Sequence, residues 1–429
     1  MKDVSVSFAA TAVIQVINIA TGLLAARLLL PEGRGELAEI MLWAGLIVEF
    51  GIVGLSDALL YRAATAAAKP RELFAAMAAL TLVFSVLLIA AGLVIEPYIF
   101  AGRDAYLLKL SLVFLIAYVP TNLGALFVAS MFQGYLDMMT WNLLRGVVAV
   151  GYLAFIGIAV AIGQATVEGF AAAYILSTAA ALVLGLVLLA RRGWIGWTLH
   201  WGTVKGIVIY GAKVHVGEML NSARQKIDQA LVALWLPHSE LGLYVVALTV
   251  ANGPLILAQT LANLAFPKVS QQAEIAGKIL VFGRYFRFTI AITTATALVL
   301  LLLNPWLVPL LFGRPFAPAA LVANIMLIGL PAAAAKLLFI QALKSWDRSL
   351  IIGHAEFIGL IAAGLSLAIL LPALGIAGAA CSFVIANVVA AAAMAVSLHR
   401  HLGLSLATLL RPTADDWRLA GDLWRTVRR

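Results

Sequence analysis

Twelve stretches of at least 18 mostly apolar residues succeed one another along this chain, with only short polar gaps between them. A helix rises about 1.5 Å per residue, so each stretch is long enough to cross the roughly 30 Å hydrocarbon core of a bilayer. They cover about 4–30, 36–60, 73–95, 106–132, 141–163, 166–190, 207–235, 241–266, 285–312, 317–343, 349–371 and 374–398. The chain is therefore expected to be all-α and polytopic, with about twelve transmembrane helices in two six-helix lobes. Composition agrees, since 63% of the residues are hydrophobic and 11% charged, and mean hydropathy is +1.03. The first stretch is too long for a signal-peptide core and lacks a convincing cleavage site, so it is read as part of the mature chain. Cys381 is the single cysteine, which excludes an intrachain disulfide.

Loop charge sets the expected orientation, because Lys and Arg are retained on the cytoplasmic side. With an inside N-terminus, 19 basic residues fall on the cytoplasmic side and four, Arg34, Arg103, Lys109 and Arg314, on the other. Both termini are thus expected in the cytoplasm, and the net charge of +9 is read as a membrane-facing surface rather than a nucleic-acid site. The chain also repeats at an offset of about 206 to 211 residues. Leu30-Pro31 followed by Gly35 resembles Leu236-Pro237 followed by Gly242, and Phe100-Ala101-Gly102-Arg103 with Asp137 recurs as Leu311-Phe312-Gly313-Arg314 with Asp347. A six-plus-six duplication predicts lobes over 1–195 and 196–400, a substrate path between them, and a basic tail over 401–429. The linker, about 191–206, is rich in Trp and base.

The seventh stretch contains KVHVGEMLNSARQKIDQ, residues 213–229, which is too polar for lipid. On a helical wheel with Lys213 at zero, Arg224, Asp228, Asn221, Gln225, Glu218 and Gln229 fall at about 20°, 60°, 80°, 120°, 140° and 160°. Each charge would cost roughly 2.5–3.5 kcal/mol at a lipid-facing midplane, so that face must meet protein or water. The first stretch has a milder stripe of Ser7, Thr11, Gln15, Asn18 and Gly22, and at an offset of 206 Gln15 corresponds to Asn221 and Asn18 to Arg224. Two such helices would line a central cavity with a neutral and a charged wall, or the first stripe is polar packing between helices. Lys213, Arg224 and Lys336 suit an anionic substrate, and guanidinium suits phosphate through its forked donors. Gln15, Asn18, Asn221 and Gln225 join them as expected substrate contacts. Glu218 and Asp228 are the expected carriers of a coupling ion, unless they only orient the cations, for instance Asp228 pairing with Arg224 one turn away. Arg27 and Arg145, near span ends, are expected to snorkel.

No nucleotide-binding loop, HExxH or Cys/His metal spacing occurs, and the longest loops are about 16 to 18 residues. An enzyme is not expected, and no catalytic residue, metal ligand or cofactor is assigned. The tail from 403 carries Trp417, Ala420, Trp424 and Val427 at helical spacing among arginines, which fits either an interfacial helix or an unstructured basic tail.

The segments AARLLLPEGRGELAEI, GIVGLSDALLYRAA, IDQALVALWLPHSELGLYVVALTVANGPL, LANLAFPKVS, LFGRPFAPAALVANIMLIGL and LPALGIAGAACSFVIA, in that order over most of 5–400, resemble the polysaccharide transporters of the multidrug/oligosaccharidyl-lipid/polysaccharide exporter superfamily. The resemblance implies a two-lobed bundle that moves an undecaprenyl-diphosphate-linked oligosaccharide across the inner membrane by alternating access, for lipopolysaccharide or exopolysaccharide synthesis. Membrane lipids, and a polysaccharide polymerase with its glycosyltransferases, are the partners it implies. Two other readings stand beside it. A multidrug or organic-cation antiporter of the same superfamily would favour acids and aromatics in its cavity, and a non-transporting scaffold would tolerate loss of every cavity charge. A major-facilitator transporter is disfavoured because YRAATAAAKPRE lacks the expected basic motif between spans two and three.

Overall fold

The structure is a computed structural model that describes residues 2–65 and 68–411, with the side chains of 2–9, 216–218, 220 and 221 outside the description. The helices are α1 (Lys2–Gly51), α2 (Leu55–Ala64), α3 (Pro70–Ile99), α4 (Ala105–Gly134), α5 (Met138–Ala161), α6 (Val167–Arg191), α7 (Trp201–Trp235), α8 (His238–Ser270), α9 (Ile275–Phe312), α10 (Ala319–Ile328), α11 (Leu330–Ser345), α12 (Ser349–Leu374), α13 (Ile376–Leu402) and α14 (Leu406–Leu410). A single 3-10 turn, Arg314–Phe316, precedes α10, and no strand occurs among the described residues. Sequence chemistry sets several starts. Pro70 opens α3, where a missing N–H costs nothing, and the side chains of Asp104, Asp137 and Thr166 accept from the N–H groups of Tyr106, Thr140 and Gly169 at 3.0, 3.1 and 3.3 Å.

Nine described helices are long and apolar enough to span a membrane, and the α10–α11 pair, bent by 47°, makes a tenth. Two features account for the difference from twelve. Leu30, at φ 59 and ψ 178 just before Pro31, breaks α1 into two helices, and α7 is 35 residues long but loses its apolar character to the polar stripe. The expected second span, 36–60, is itself interrupted, because Val53 and Gly54 turn left-handed between α1 and α2. Apolar side chains cover both the inside and the outside of these helices. On α3, for example, Leu73, Phe74 and Met77 are buried while Leu82, Val83, Val86 and Leu87 are exposed, as expected when the solvent is lipid.

The chain divides into two compact units. Unit 1 holds Met1–Ala223, Ala233–Val245 and Leu311–Phe316; unit 2 holds Arg224–Val232, Val246–Leu310 and Ala317–Arg429. In unit 1, α6 packs on α4 and α5, and α1 on α5, around buried Phe114, Phe127, Phe132 and Phe170. The linker is tied down there: Trp194 stacks on Phe132, Trp197 meets Phe74 edge-on, and Arg71 donates to the Gly193 carbonyl at 2.9 Å. In unit 2, α13 packs on α12, α11 and α10, over a core that includes Phe282, Phe286, Phe339 and Met394. Arg287 donates to the Leu409 carbonyl of α14 at 3.1 Å. The tail residues Trp417, Ala420, Trp424 and Val427 lie outside the described residues.

The repeat is written in the backbone. Left-handed residues occur at Gly102, Leu136, Gly163 and Gly193, and again at Gly313, Asp347, Gly375 and Gly403, so the second set is the first shifted by 210 to 212 residues. Contacts within unit 1 obey the same rule. A Cβ on Gly35 would strike the His238 carbonyl and one on Gly242 would strike the Pro31 carbonyl, and these are one pair and its copy shifted by 207 residues. Arg27 donates to the Leu311 carbonyl at 2.6 Å, and Arg103 to the Ala233 carbonyl at 2.5 Å and the Leu236 carbonyl at 3.0 Å. Such reciprocity is what a two-fold relation between duplicated segments produces.

Candidate functional site

The stripe on α7 is helical as expected, and among its described side chains the buried one is Asp228, 6% exposed, whose carboxylate accepts from the Gln229 N–H at 2.8 Å. Arg224, four residues earlier, reaches across unit 2 to α12, where its Nε lies 2.5 Å from Glu356 Oε2. Lys336 of α11, only 4% exposed, places its Nζ 3.7 Å from the other Glu356 oxygen. The geometry therefore joins two of the cations read from the sequence, and an acid assigned to neither role joins them. Three helices supply this trio, so its spacing is fixed by helix packing rather than by loops. Two cations share one carboxylate, leaving the trio with one net positive charge inside spans. Arg224 and Glu356 each keep 17% of their side-chain surface accessible, so the pair is reachable by a ligand.

Polar groups continue along α8 and α11. Asn263 accepts from Gln259 at 2.9 Å and from Gln341 at 3.2 Å. An exposed amide on a membrane helix is costly in lipid, so this face is suited to water or to a polar ligand.

In unit 1 the first-helix stripe is only partly neutral. Gln15 is half-buried and Asn18 exposed, but Thr11 receives Arg145 Nη1 at 3.5 Å, and the same guanidinium lies 4.5 Å above the Trp141 ring. Arg145 thus turns toward α1 instead of snorkelling, and Arg27 is bound to a carbonyl of the α9 terminus. Lys213 and Gln225 are exposed. His215 has its Nε2 2.8 Å from the Phe50 carbonyl, which fastens α7 to the end of α1. Glu218 and Asn221 have side chains outside the described residues.

A second ionisable cluster surrounds the α1 break. Glu39, wholly buried, lies 2.6 Å from His238 Nε2 and 3.7 Å from Arg103. Its signal was available in the sequence as Glu32, Glu36 and Glu39 at one-turn and two-turn spacing.

Long apolar helices in two compact units, with paired ionisable groups held among them, define a multi-pass membrane protein. The chain belongs to the polysaccharide biosynthesis protein family, whose model matches residues 24–321. Its fold is shared with a solved "Lipid II flippase MurJ, inward closed conformation", at 12% identity, TM-score 0.77, 98% of this chain and 92% of that one. It is shared also with a "multidrug resistance MATE family transporter of the MOP superfamily" in an inward-facing conformation, at 14% identity, TM-score 0.71, 88% of this chain and 92% of that one. The Vibrio cholerae MATE transporter VcmN, in its bent form, matches at 12% identity and TM-score 0.54, over 91% of this chain and 98% of that one. No curated protein matches the sequence.

Proposed function

We propose that the chain is a flippase that carries a lipid-diphosphate-linked oligosaccharide across the inner membrane by alternating access, for surface polysaccharide synthesis. The observation that carries this reading is the Arg224–Glu356–Lys336 trio. A diphosphate cannot enter hydrocarbon without offsetting its desolvation, and a partly accessible guanidinium beside a buried ammonium supplies that offset. Glu356 acts as a resident counter-ion: it holds Arg224 while the site is empty, and the diphosphate takes its place. Asn263, Gln259 and Gln341 offer donors and acceptors for the sugar. Asp228 and Glu218 carry the coupling ion, and Lys213, Gln225, Asn221, Gln15 and Asn18 complete the polar path, with lobes over 1–195 and 196–400 and both termini in the cytoplasm. Two cations around one acid weigh against an organic-cation substrate.

Surface polysaccharide in a strain lacking the protein tests this. Arg224→Ala and Lys336→Ala are each expected to insert normally yet restore no more than about a tenth of the polymer, as loss of a charge-assisted bond worth roughly 1.5–3 kcal/mol requires. Full restoration by both variants would end the charged-site mechanism.

A further inference from the structure

We infer that Glu32, Glu36 and His238 form a binding site for a divalent transition-metal ion of the zinc class, with Glu39 as the residue that orients the histidine. One carboxylate oxygen from each glutamate and one imidazole nitrogen all lie within 4.8 Å of one another, and His238 Nδ1 is 3.5 Å from Glu32 Oε1. Zinc binds imidazole nitrogen and carboxylate oxygen at about 2.0–2.2 Å, which sets neighbouring tetrahedral ligands roughly 3.3–3.6 Å apart. The His238–Glu32 pair already has that spacing, and a Glu36 oxygen lies within 4.8 Å of both.

The independent observation is on the far side of the ring. Glu39 is 0% exposed and its Oε2 sits 2.6 Å from His238 Nε2, which leaves the Nδ1 edge of the ring facing Glu32. A carboxylate behind a histidine whose other nitrogen faces further carboxylates is the second layer that zinc sites use to fix tautomer and raise ligand basicity. The close approach of Gly35 to the His238 carbonyl fixes the backbone as well. Charge points the same way. Glu32, Glu36 and Glu39 share one helix face at one-turn spacing, Asp104 and Glu168 add negative potential around Glu36, and Arg103 at 3.7 Å from Glu39 offsets only part of it. Two carboxylates and one imidazole leave room for water in the fourth position, a donor set suited to Zn²⁺, Co²⁺ or Mn²⁺ rather than to a thiolate-seeking ion. A bound ion would cross-link the first turn of α8 to the second half of α1.

The test is Co²⁺ titration of chelator-stripped, full-length protein in detergent, followed by visible absorption, with Zn²⁺ competition and calorimetry. One ion per chain is expected. His238→Ala is expected to weaken binding at least tenfold, Glu39→Gln about 10–100-fold, and the double variant His399→Ala/His401→Ala not at all. Glu32→Gln guards against loss through misfolding, because that side chain is 62% exposed; it too should weaken binding. No saturable binding by the wild type, or binding unchanged in His238→Ala, overturns the site.

Discussion

Replacing Glu356 with Gln leaves Arg224 and Lys336 beside one another without their shared anion, and this separates a ligand-exchanging ion pair from a structural one. Removing one partner of a buried pair costs roughly 3–5 kcal/mol. Because Arg224 and Glu356 keep 17% of their surface accessible, the lower end applies, about 3 kcal/mol. If a diphosphate occupies the place of Glu356, then a diphosphate at about one hundred times its Kd contributes about 2.7 kcal/mol and restores nearly all of that loss. The assay is thermal unfolding of the wild type and Glu356→Gln in detergent, with and without a short isoprenyl diphosphate, and with the matching isoprenol as control. The variant should melt lower and recover with the diphosphate alone. Recovery by the isoprenol to the same extent, or no recovery by either, refutes the exchange. Arg224→Met/Lys336→Met/Glu356→Met sharpens the result: removing all three charges should leave stability near the wild type and abolish the response to diphosphate.

Arg103→Ala removes the guanidinium from the Ala233 and Leu236 carbonyls and from buried Glu39, so the α7–α8 turn should exchange amide hydrogens faster, with a stability loss of about 2 kcal/mol. Gly242→Val drives a side chain into the Pro31 carbonyl; a drop in thermal stability of at least about 1–3 kcal/mol is expected, whereas Gly253→Ala, in open space, should change little. Arg145→Ala releases Thr11 and the Trp141 ring and should lower surface polysaccharide at least tenfold without loss of inserted protein, a result read by immunoblot of membranes beside polymer staining.

Apolar length made the spans legible, because lipid accepts any long apolar helix and little else is needed to specify one. It hid the break at Val53 and Gly54, since GIVGLSDALL stays apolar through the turn. The wheel ranked α7 correctly as the polar helix, yet it suggested Asp228 as the companion of Arg224. A wheel describes one helix, whereas Glu356 is 132 residues away and meets Arg224 only through packing. One sign of it was readable: a lone acid in the apolar α12 has to be matched by a buried cation. The repeat was visible at two landmarks, and four left-handed backbone positions from Gly102 to Gly193 recur from Gly313 to Gly403.

Duplication also explains why the two units are not chemically equal. Arg145 lies nine residues beyond the left-handed Leu136, and Glu356 nine residues beyond the left-handed Asp347, so they occupy the same position in the two copies with opposite charge. In unit 1 the residue turns from α5 to α1, where Thr11 is an uncharged partner, and stays over the Trp141 ring of its own helix. In unit 2 it turns from α12 to α7, where Arg224 is the partner. The same backbone thus supplies a cation to one unit and an anion that holds a cation in the other. A guanidinium with neutral partners keeps its full attraction for phosphate, while one paired with a carboxylate must first exchange it. The charge therefore differs at matching positions of the two copies: an arginine with neutral partners in unit 1 and a carboxylate that holds an arginine in unit 2.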